Sequence, residues 1–237
     1  MNPPTPAVLV ENLSYSYPDG SHALRGVSFS VAPDEKVGLV GANGAGKSTL
    51  LLNLNGVLAG AGRIEIFGTR VGKGTLREVR KKVGLVFQNP DDQLFLSTLY
   101  GDVAFGPRNM GLSESDVKER TMRSLATLGL AAHASKSSYH LSLGQKKRAA
   151  AATVLSMGAP ILALDEPTGG LDPKSRRELV HALQIIGGAQ IVATHDFGLV
   201  KELCGRVIIL LDGTVAAEGE PEILLNDTAL LERCSLA

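Results

Sequence analysis

The chain has 237 residues with 24 basic and 24 acidic side chains, so its formal net charge is zero. A general nucleic-acid binder would be strongly basic, and this balance gives no support to that class. Apolar residues make up 44% of the chain and charged residues 20%, which is typical of a globular protein and excludes a disordered one. The length suits one large domain with a sizeable core.

Two features of the sequence concern the cellular compartment. Cys204 and Cys234 are too few for a disulfide framework, which favours a reducing cytoplasm. The longest charge-free stretch, 149–164, is shorter than the ~20 apolar residues of a membrane-spanning helix. Residues 1–6 lack the basic start and the apolar run of a signal peptide. We therefore expect that, if the protein serves a membrane, it does so as a docked peripheral subunit.

Short β-rich runs alternate with helical stretches along the chain, which predicts an α/β fold with a largely parallel sheet. The predicted strands of the N-terminal part are Val8–Leu13, Ala23–Val31, Val37–Val40, Arg63–Phe67 and Val83–Phe87, the last with Val83, Leu85 and Phe87 on one face. The first two flank a turn at Pro18-Asp19-Gly20, which predicts an N-terminal antiparallel β subdomain.

A mainly helical stretch runs from Pro90 to about Met157. Ser113 with Asp116 resembles a capping box that opens a helix through Leu128. Its inward stripe at helical spacing is Val117, Thr121, Leu125 and Leu128. We interpret this stretch as a helical subdomain, 89–158, inserted into an α/β core formed by 1–88 and 159–237, all within a single domain, 1–237.

The core then resumes. The predicted elements are a strand at Ile161–Leu164, a helix capped by Asp172 and running through Ile186, a strand at Gln190–Ala193, and a hairpin of Val207–Leu211 and Thr214–Ala217 around Asp212-Gly213. From Pro221 we expect a short helix followed by loose residues.

One motif predicts a phosphate-binding loop. Residues 41–48, Gly-Ala-Asn-Gly-Ala-Gly-Lys-Ser, match G-x-x-x-x-G-K-[ST] between a predicted strand and a predicted helix, the context that this motif requires. Glycines let successive N–H groups turn toward a phosphate, and the helix directs its positive end at the same oxygens. Lys47 should bridge the β- and γ-phosphates, and the Ser48 hydroxyl should ligate Mg²⁺. The residues predicted to contact ATP are Gly41, Asn43, Gly44, Ala45, Gly46, Lys47, Ser48 and Thr49.

The second half of the predicted site is an acidic strand end. The apolar run Ile161–Leu164 delivers Asp165 and Glu166 to the carboxyl edge of the sheet, where α/β proteins bind ligands. Asp165 is placed to hold Mg²⁺, and Glu166 to orient or deprotonate the attacking water. Alone, this pair would be interpreted as a strand-end turn; beside a matched phosphate loop it predicts an ATPase.

At this point the sequence resembles the ATPase subunits of ABC transporters, over nearly its whole length. Leu141–Gln145 is similar to the family signature LSGGQ, with Leu143 in place of the first glycine. The resemblance implies that Ser142, Gly144 and Gln145 contact ATP. The three basic residues that follow, 146–148, are interpreted as a solvated face.

Other family motifs follow in order. Gln88 matches the Q-loop glutamine, which senses Mg²⁺ and the attacking water, and His195 matches the switch histidine, which contacts the γ-phosphate. Gly170-Leu171-Asp172 resembles the D-loop. Tyr17 lies where the family stacks an aromatic ring on adenine, and Tyr15 is the competitor. The resemblance thus implies a catalytic set of Glu166, His195 and Gln88, and a Mg²⁺ set of Ser48, Gln88 and Asp165.

The resemblance also implies a mode of action. In this family two subunits enclose two ATP molecules head to tail, each between the phosphate loop of one subunit and the signature of the other. We therefore expect a homodimer, peripheral on the cytoplasmic face of the inner membrane. Its expected partners are a membrane-embedded coupling subunit and a substrate-capture subunit, with no nucleic acid and no direct contact with the transported substrate.

Residues 89–95 and 102–107 resemble the energy-coupling-factor branch, closest to cobalt and nickel importers. In that branch the segment after the Q-loop opens a helix beside the groove for the coupling helices. Asp91 or Asp92 could cap it, and Leu94 and Phe95 could either anchor a partner or pack inside the subdomain. Many members carry a longer C-terminal extension, and ending at Ala237 suits a simpler homodimeric metal importer. The alternatives are a vitamin importer of the same branch, a regulatory module that binds ATP without turnover, and a non-transport ABC ATPase that acts on nucleic acid.

Overall fold

A computed structural model of the protein describes residues 5–236, so part of the N-terminal stretch discussed above, residues 1–4, lies outside the described residues. The chain divides into two compact units. The first contains residues up to Leu85, together with Pro160–Glu166 and the residues from Gly188 onward. The second contains Val86–Ala159 and Pro167–Gly187.

The first unit begins with an antiparallel sheet. Its strands are β1 (Val8–Ser16), β2 (His22–Val31), β4 (Ala61–Ile66) and β5 (Thr69–Arg70), in the order β2-β1-β4-β5. Alternate residues of β1 and β2 point into the core, which is the pattern of a half-buried strand. The predicted N-terminal antiparallel subdomain is thereby confirmed, with longer strands than the sequence suggested.

A second, mixed sheet forms the rest of the core of this unit. Its strands are β3 (Lys36–Gly41), β6 (Val83–Val86), β7 (Ile161–Asp165), β8 (Ala189–Ala193), β9 (Arg206–Leu211) and β10 (Thr214–Gly219), in the order β10-β9-β3-β8-β7-β6. β3 pairs in parallel with β8 and β9, and β7 pairs in parallel with β8. β7 and β8 are buried along their whole length, as parallel strands covered on both faces should be.

The hairpin between β9 and β10 forms as predicted. Asp212 and Gly213 have φ values of +46° and +78°, the left-handed backbone that a two-residue hairpin loop of this type requires. The prediction for β6 was wrong in one respect. The strand ends at Val86, and Phe87 lies beyond it with 37% of its surface exposed, so it does not share a buried face with Val83.

Within residues 5–236, five helices accompany the sheets of the first unit. They are α1 (Lys47–Leu54), α2 (Leu76–Lys82), α7 (Phe197–Leu203), α8 (Pro221–Leu224) and α9 (Thr228–Arg233). The prediction of loose residues after the helix at Pro221 was wrong, because Asp227 caps α9 and the helix buries Leu230, Leu231 and the following Cys234. Three apolar groups on one helix face are enough to pack this segment.

The second unit is helical. It contains α3 (Leu99–Asn109), α4 (Glu114–Thr127), α5 (Leu143–Leu155) and α6 (Pro173–Ile185), with 3₁₀ turns at Pro90–Asp92, Ala131–His133 and Ser138–His140. The Ser113 hydroxyl caps α4 by accepting from the N–H of Asp116, and all four residues of the predicted stripe are buried. Asp172 caps α6 as predicted, accepting from the N–H groups of Lys174 and Ser175.

The cap after the Q-loop segment differs from the prediction. Asn89, not Asp91 or Asp92, caps the 3₁₀ turn, and the next α-helix begins only at Leu99 with Thr98 as its cap. The two aspartates lie inside the first turn, where their charge favours the positive helix end without serving as the cap.

In the described part of the chain, no helix combines the length and the apolar character needed to cross a bilayer.

Candidate nucleotide site

The phosphate loop connects β3, the strand between β8 and β9, to α1. Its glycines are required for two different reasons. Gly44 and Gly46 have φ values of +84° and +103°, which residues with a side chain rarely adopt. A Cβ on Gly41 would lie 2.7 Å from the carbonyl oxygen of Leu210, so close packing requires glycine there. The loop can therefore curve tightly while staying against the sheet.

Lys47 opens α1 and folds back over the loop. Its buried Nζ donates to the carbonyl oxygens of Gly41 at 2.6 Å and Ala42 at 3.2 Å. Burial lowers the pKa of Lys47, and the nearby Glu166 and Asp165 carboxylates oppose this by favouring the charged form. The ammonium group thus lies between the loop and two acidic side chains, where it can meet the terminal phosphates of a nucleotide.

The order of the strands brings the acidic groups to the loop. Because β8 lies between β3 and β7 and all three are parallel, their carboxyl ends share one edge of the sheet. Asp165 ends β7, Glu166 follows it, and His195 lies two residues after the end of β8. The structure therefore brings these three predicted residues to the edge that carries the phosphate loop.

The Glu166 carboxylate is held by the two residues that follow the neighbouring strand. The Thr194 hydroxyl donates to Oε2 at 3.0 Å, the His195 N–H donates to Oε1 at 3.1 Å, and His195 Nδ1 lies 2.8 Å from Oε1. Glu166 has a φ of +43°, a left-handed conformation that costs a residue with a Cβ about 1–2 kcal/mol. Its N–H donates to the carbonyl oxygen of Ala193 at 2.8 Å, which helps to hold that conformation.

Thr194 is a residue that the sequence analysis missed. It is fully buried and supplies a donor to the predicted catalytic carboxylate. The only signal in the sequence was its place between a predicted strand and His195.

A cavity of about 420 Å³ opens beside the loop. Its lining residues are Gly41, Ala42, Asn43, His195, Phe197, Ser235 and Leu236. Ser235 has a φ of +56°, and the N–H of Leu236 donates to the carbonyl oxygen of Leu231 at 2.8 Å, which closes α9 in a Schellman turn. The residues after α9, to which the sequence analysis gave no role, thus form a fixed wall of the cavity.

Tyr17, the predicted adenine contact, lies one residue beyond β1. Its hydroxyl is 2.9 Å from the Thr49 Oγ1 on α1, and its ring meets that of Tyr15 edge to face with centroids 5.0 Å apart. The hydrogen bond ties Tyr17, rather than Tyr15, to the helix that follows the phosphate loop. The choice of Tyr17 over Tyr15 as the adenine contact stays a prediction.

Four of the predicted site residues belong to the second unit: Gln88, Ser142, Gly144 and Gln145. Gln88 is exposed two residues after the end of β6. Ser142 caps α5 through its hydroxyl, which accepts from the N–H of Gln145 at 3.3 Å, while Gln145 Oε1 accepts from the N–H of Ser142 at 3.0 Å. This reciprocal capping box fixes both signature residues at the helix start.

His133, to which the sequence analysis gave no role, contacts the signature. Its Nε2 lies 3.1 Å from Nε2 of Gln145, so the imidazole helps to orient that amide. Its 3₁₀ turn, Ala131–His133, places the ring against the start of α5.

The glycine of the signature is packed against the helix after the D-loop. A Cβ on Gly144 would lie 2.4 Å from Oγ and 2.5 Å from Cβ of Ser175. Gly170 has a φ of +73°, and a Cβ there would lie 3.2 Å from Leu143. The start of α5 and the D-loop are therefore fitted to each other inside the second unit.

The interpretation of Lys146–Arg148 as a solvated basic face was wrong. Lys146 is only 16% exposed and pairs with Asp91 at 2.7 Å. Lys147 is buried, and Arg148 pairs with Glu178 at 3.0 Å and donates to the Leu128 carbonyl oxygen at 3.1 Å. Because the partners of Lys146 and Arg148 are distant in the sequence, the three consecutive charges alone did not indicate these packing contacts.

A curved glycine loop on the carboxyl edge of a parallel sheet, with a lysine over it and carboxylates on neighbouring strand ends, is suited to nucleoside triphosphates. The fold and the site define a P-loop nucleotide hydrolase.

Comparisons with known proteins narrow this class. A family model described as ABC transporter matches residues 24–169. The putative ABC transporter ATP-binding protein GSU1281 of Geobacter sulfurreducens is 50% identical over 230 residues, covering 97% of this chain and 92% of that protein. The energy-coupling factor transporter ATP-binding protein EcfA of Carboxydothermus hydrogenoformans is 47% identical over 234 residues, covering 97% and 86%.

Comparisons with solved structures indicate the same family as the sequence comparisons. The structure of cbiO1 from Clostridium perfringens, part of the ABC transporter complex cbiONQ, matches with a TM-score of 0.85 at 37% identity, covering 98% of this chain and 95% of that one. The ATP-binding cassette MJ0796, dimeric in a post-hydrolysis state with ADP and Pi, matches with a TM-score of 0.81 at 28% identity, covering 90% and 98%. The chain belongs to the ABC transporter family, as an ATP-hydrolysing subunit of the energy-coupling-factor type.

Proposed function

We propose that two copies of this chain enclose two ATP molecules and hydrolyse them to drive import of cobalt or nickel ion through a membrane-embedded coupling subunit. The homodimer would lie on the cytoplasmic face of the membrane. The observation that carries the proposal is the arrangement at Glu166, where a carboxylate with a left-handed backbone is held by Thr194 and His195 at the edge that bears the phosphate loop.

This arrangement suggests how the chain's own residues act. The N–H groups of the loop and the Lys47 ammonium bind the β- and γ-phosphates and stabilise the charge that develops in transfer. Glu166 accepts a proton from the water whose oxygen bonds to the γ-phosphorus as the bond to the ADP oxygen breaks. Thr194 and His195 keep the carboxylate in place, and the exposed His195 lines the cavity beside the phosphate loop, where we propose that it contacts the γ-phosphate.

The residues present fit a Mg²⁺ ion. The exposed hydroxyl of Ser48 at the start of α1 and the carboxylate of Asp165 at the end of β7 are the hard oxygen donors that Mg²⁺ prefers. The family resemblance, rather than a contact in the structure, adds the Gln88 amide oxygen as a third proposed ligand. When bound, the ion would neutralise charge between the β- and γ-phosphates.

The dimer is supported by the signature and by the comparisons. Ser142 is exposed at the N-terminus of α5, whose start is fixed by a capping box and whose positive dipole end favours an anion. The similar cassette MJ0796 is a dimer. We therefore propose that the Ser142, Gly144 and Gln145 end of one copy closes over the ATP held by the loop of the other.

An aromatic pair on the second unit supports docking to a membrane partner. The rings of Phe95 and Phe105 meet edge to face with centroids 5.2 Å apart, and they are 60% and 44% exposed. The buried Asp102 holds this arrangement, because its Oδ1 accepts from the N–H groups of Phe95 at 2.9 Å and Leu96 at 2.8 Å. Leu94 is buried and so packs inside the unit. The proposed occupant is an apolar helix of the coupling subunit.

The proposed cargo, cobalt or nickel ion, is supported by a sequence resemblance and by one similar structure. Residues 89–95 and 102–107 resemble those of cobalt and nickel importers, and the similar cbiO1 belongs to the complex cbiONQ. Cells that express this chain with its membrane partners should accumulate radioactive cobalt or nickel, and Lys47→Ala should reduce that uptake to background. Uptake of a vitamin instead of either metal would contradict the cargo proposal.

Mixed dimers test the shared sites. Ser142→Arg should abolish turnover and leave ATP binding by the single subunit intact, whereas Lys47→Ala should lose most nucleotide affinity. A mixture of the two variants contains heterodimers with one unmutated composite site, so ATPase activity should reappear on mixing. Activity that stays absent, with both variants folded, would contradict the sandwich.

A further inference from the structure

The Gln93 side chain connects the Q-loop to the signature helix inside the second unit. Its Oε1 accepts from the N–H of Phe87, the residue directly before Gln88, at 3.1 Å. Its Nε2 donates to the carbonyl oxygen of Ala150 at 3.0 Å and to Oγ1 of Thr153 at 2.7 Å, both on α5. One side chain thus spans the two motifs.

Only a carboxamide of this length can make all these contacts. The Phe87 N–H can only donate and the Ala150 carbonyl can only accept, so the two partners fix which end of the amide faces each. Glutamate would present acceptors to both, and methionine would make neither bond. The two bonds to α5 are part-buried and the bond from the Phe87 N–H is exposed, so water can replace Gln93 as the partner of that N–H but cannot replace the link between the two segments.

The contact between Gln93 and α5 lies on the same unbroken helix as the signature residue Ser142. Ala150 is eight residues from the cap Ser142, so the bond is made about 12 Å along the same helix at 1.5 Å per residue. Helix α5 is unbroken over this length, and a shift of its middle therefore moves its start. A second contact, Lys146 Nζ to Asp91 Oδ1 at 2.7 Å, joins the same two segments.

We propose that Gln93 is a positioning residue that couples Gln88 to the signature helix, and so couples the two ATP sites of the dimer. The inference rests on the proposed function, in which Gln88 acts on the ATP of its own subunit and the signature closes over the ATP of the other. A change at Gln88 on ATP binding moves the Phe87 backbone, Gln93 transmits it to α5, and the second site closes more readily.

The test compares the wild-type chain with Gln93→Met, which keeps the length and removes the bonds. Hydrolysis by two coupled sites has a Hill coefficient above 1 and at most 2. We expect the wild-type coefficient to lie above 1 and that of Gln93→Met to fall to 1, with kcat reduced roughly tenfold. ATP affinity of the single subunit, measured in a Ser142→Arg background, should stay within twofold. Equal Hill coefficients and equal kcat in the two proteins overturn the inference.

Two further variants keep the test decisive. Thr153→Val removes one of the three bonds without changing the shape of the side chain, and it should lower the Hill coefficient in the same direction even if Gln93→Met folds poorly. In the double variant, Thr153→Val should add nothing to Gln93→Met; additive effects contradict the coupling. Asn89→Ala loses only bonds within its own turn and should behave as wild type.

The outcome separates two failures. If the wild-type chain neither dimerises with ATP nor recovers activity in the mixed-dimer experiment, the sandwich itself fails. If it passes both and Gln93→Met matches it in every parameter, only the role of Gln93 fails.

Discussion

Nδ1 of His195 lies 2.8 Å from Oε1 of Glu166, and the N–H of the same histidine donates to the same oxygen. The two residues follow neighbouring parallel strands, so the contact depends on the pairing of β7 with β8. The backbone bond holds whatever the state of the ring. The ring is therefore able to turn toward a phosphate without releasing the carboxylate.

Glu166→Gln should retain ATP binding and lose hydrolysis by at least a hundredfold. The amide keeps the shape: its oxygen can still accept from the His195 N–H, and its NH₂ group can donate to Thr194 Oγ1, but it cannot take a proton from water. Single-turnover ATPase assays beside fluorescent-nucleotide binding would measure both. The same substitution at the exposed Glu119 on α4 should leave both unchanged. Normal hydrolysis by Glu166→Gln would remove this carboxylate as the base.

Thr194→Val should lower kcat about three- to thirtyfold with little change in KM. The buried hydroxyl that donates to Oε2 is lost, and the methyl that replaces it keeps the packing. Thr194→Ser restores the hydroxyl and should recover most of the rate. A loss that Ser does not recover, or an unchanged kcat in Thr194→Val, would show that the hydroxyl does not position Glu166.

The phosphate loop and the strand-end carboxylates could be predicted because their signals are local. The phosphate loop is a motif of eight consecutive residues, and the carboxylates lie at the end of a buried apolar run. The order of the parallel strands then brings the loop and the carboxylates together. Thr194 carries no such signal, because its partner Glu166 is 28 positions away and only the pairing of two strands joins them.

The basic run Lys146–Arg148 shows why the exposure of charged residues on a helix is hard to predict from the sequence. Consecutive charges on a helix point in different directions, so three in a row cannot all face the same surroundings. Lys146 finds Asp91, 55 positions away, and Arg148 finds Glu178 on α6. Neither partner could be inferred without the packing of α5.

The helix after Asp227 could have been predicted, because its cap and its apolar spacing are both in the sequence.

Tyr17→Phe should weaken ATP binding by only two- to fivefold, and Tyr17→Ala by far more. Phenylalanine keeps the ring for stacking on adenine and loses only the bond to Thr49, whereas alanine removes the stacking surface. Titration with a fluorescent ATP analogue measures both constants. Tyr15→Ala is the matched comparison. A larger loss at Tyr15 than at Tyr17 would move the adenine contact to Tyr15.

Gly144→Ala should destabilise the protein by about 1–3 kcal/mol, because its new Cβ would overlap Ser175. Chemical denaturation measures the free energy of unfolding. Gly74→Ala is the control, since a Cβ there meets nothing within 4 Å. In a Ser175→Gly background the added cost of Gly144→Ala should shrink by ~1 kcal/mol or more. An equal cost in both backgrounds would place the strain elsewhere.

Glu35 should contribute to the loss of stability in acid. Burial raises its pKa, but the bonds from Arg206 at 2.6 and 2.9 Å and from the N–H of Ala32 at 2.7 Å outweigh burial, so its pKa lies below the ordinary glutamate value.

Because the folded pKa of Glu35 is lower than the unfolded one, its contribution is complete above the unfolded value near ~4.3 and is lost as the pH falls through the folded value. Glu35→Gln should therefore lower the free energy of unfolding at pH 7 and flatten its fall below about pH 5. Arg206→Met should flatten the same limb only in part, because the bond from the Ala32 N–H to Glu35 remains. The effects of the two changes should be less than additive in the double variant, because both remove the Arg206–Glu35 pair. Denaturation curves at a series of pH values would show this. An acid limb as steep as that of the wild type in Glu35→Gln would assign the loss to other carboxylates.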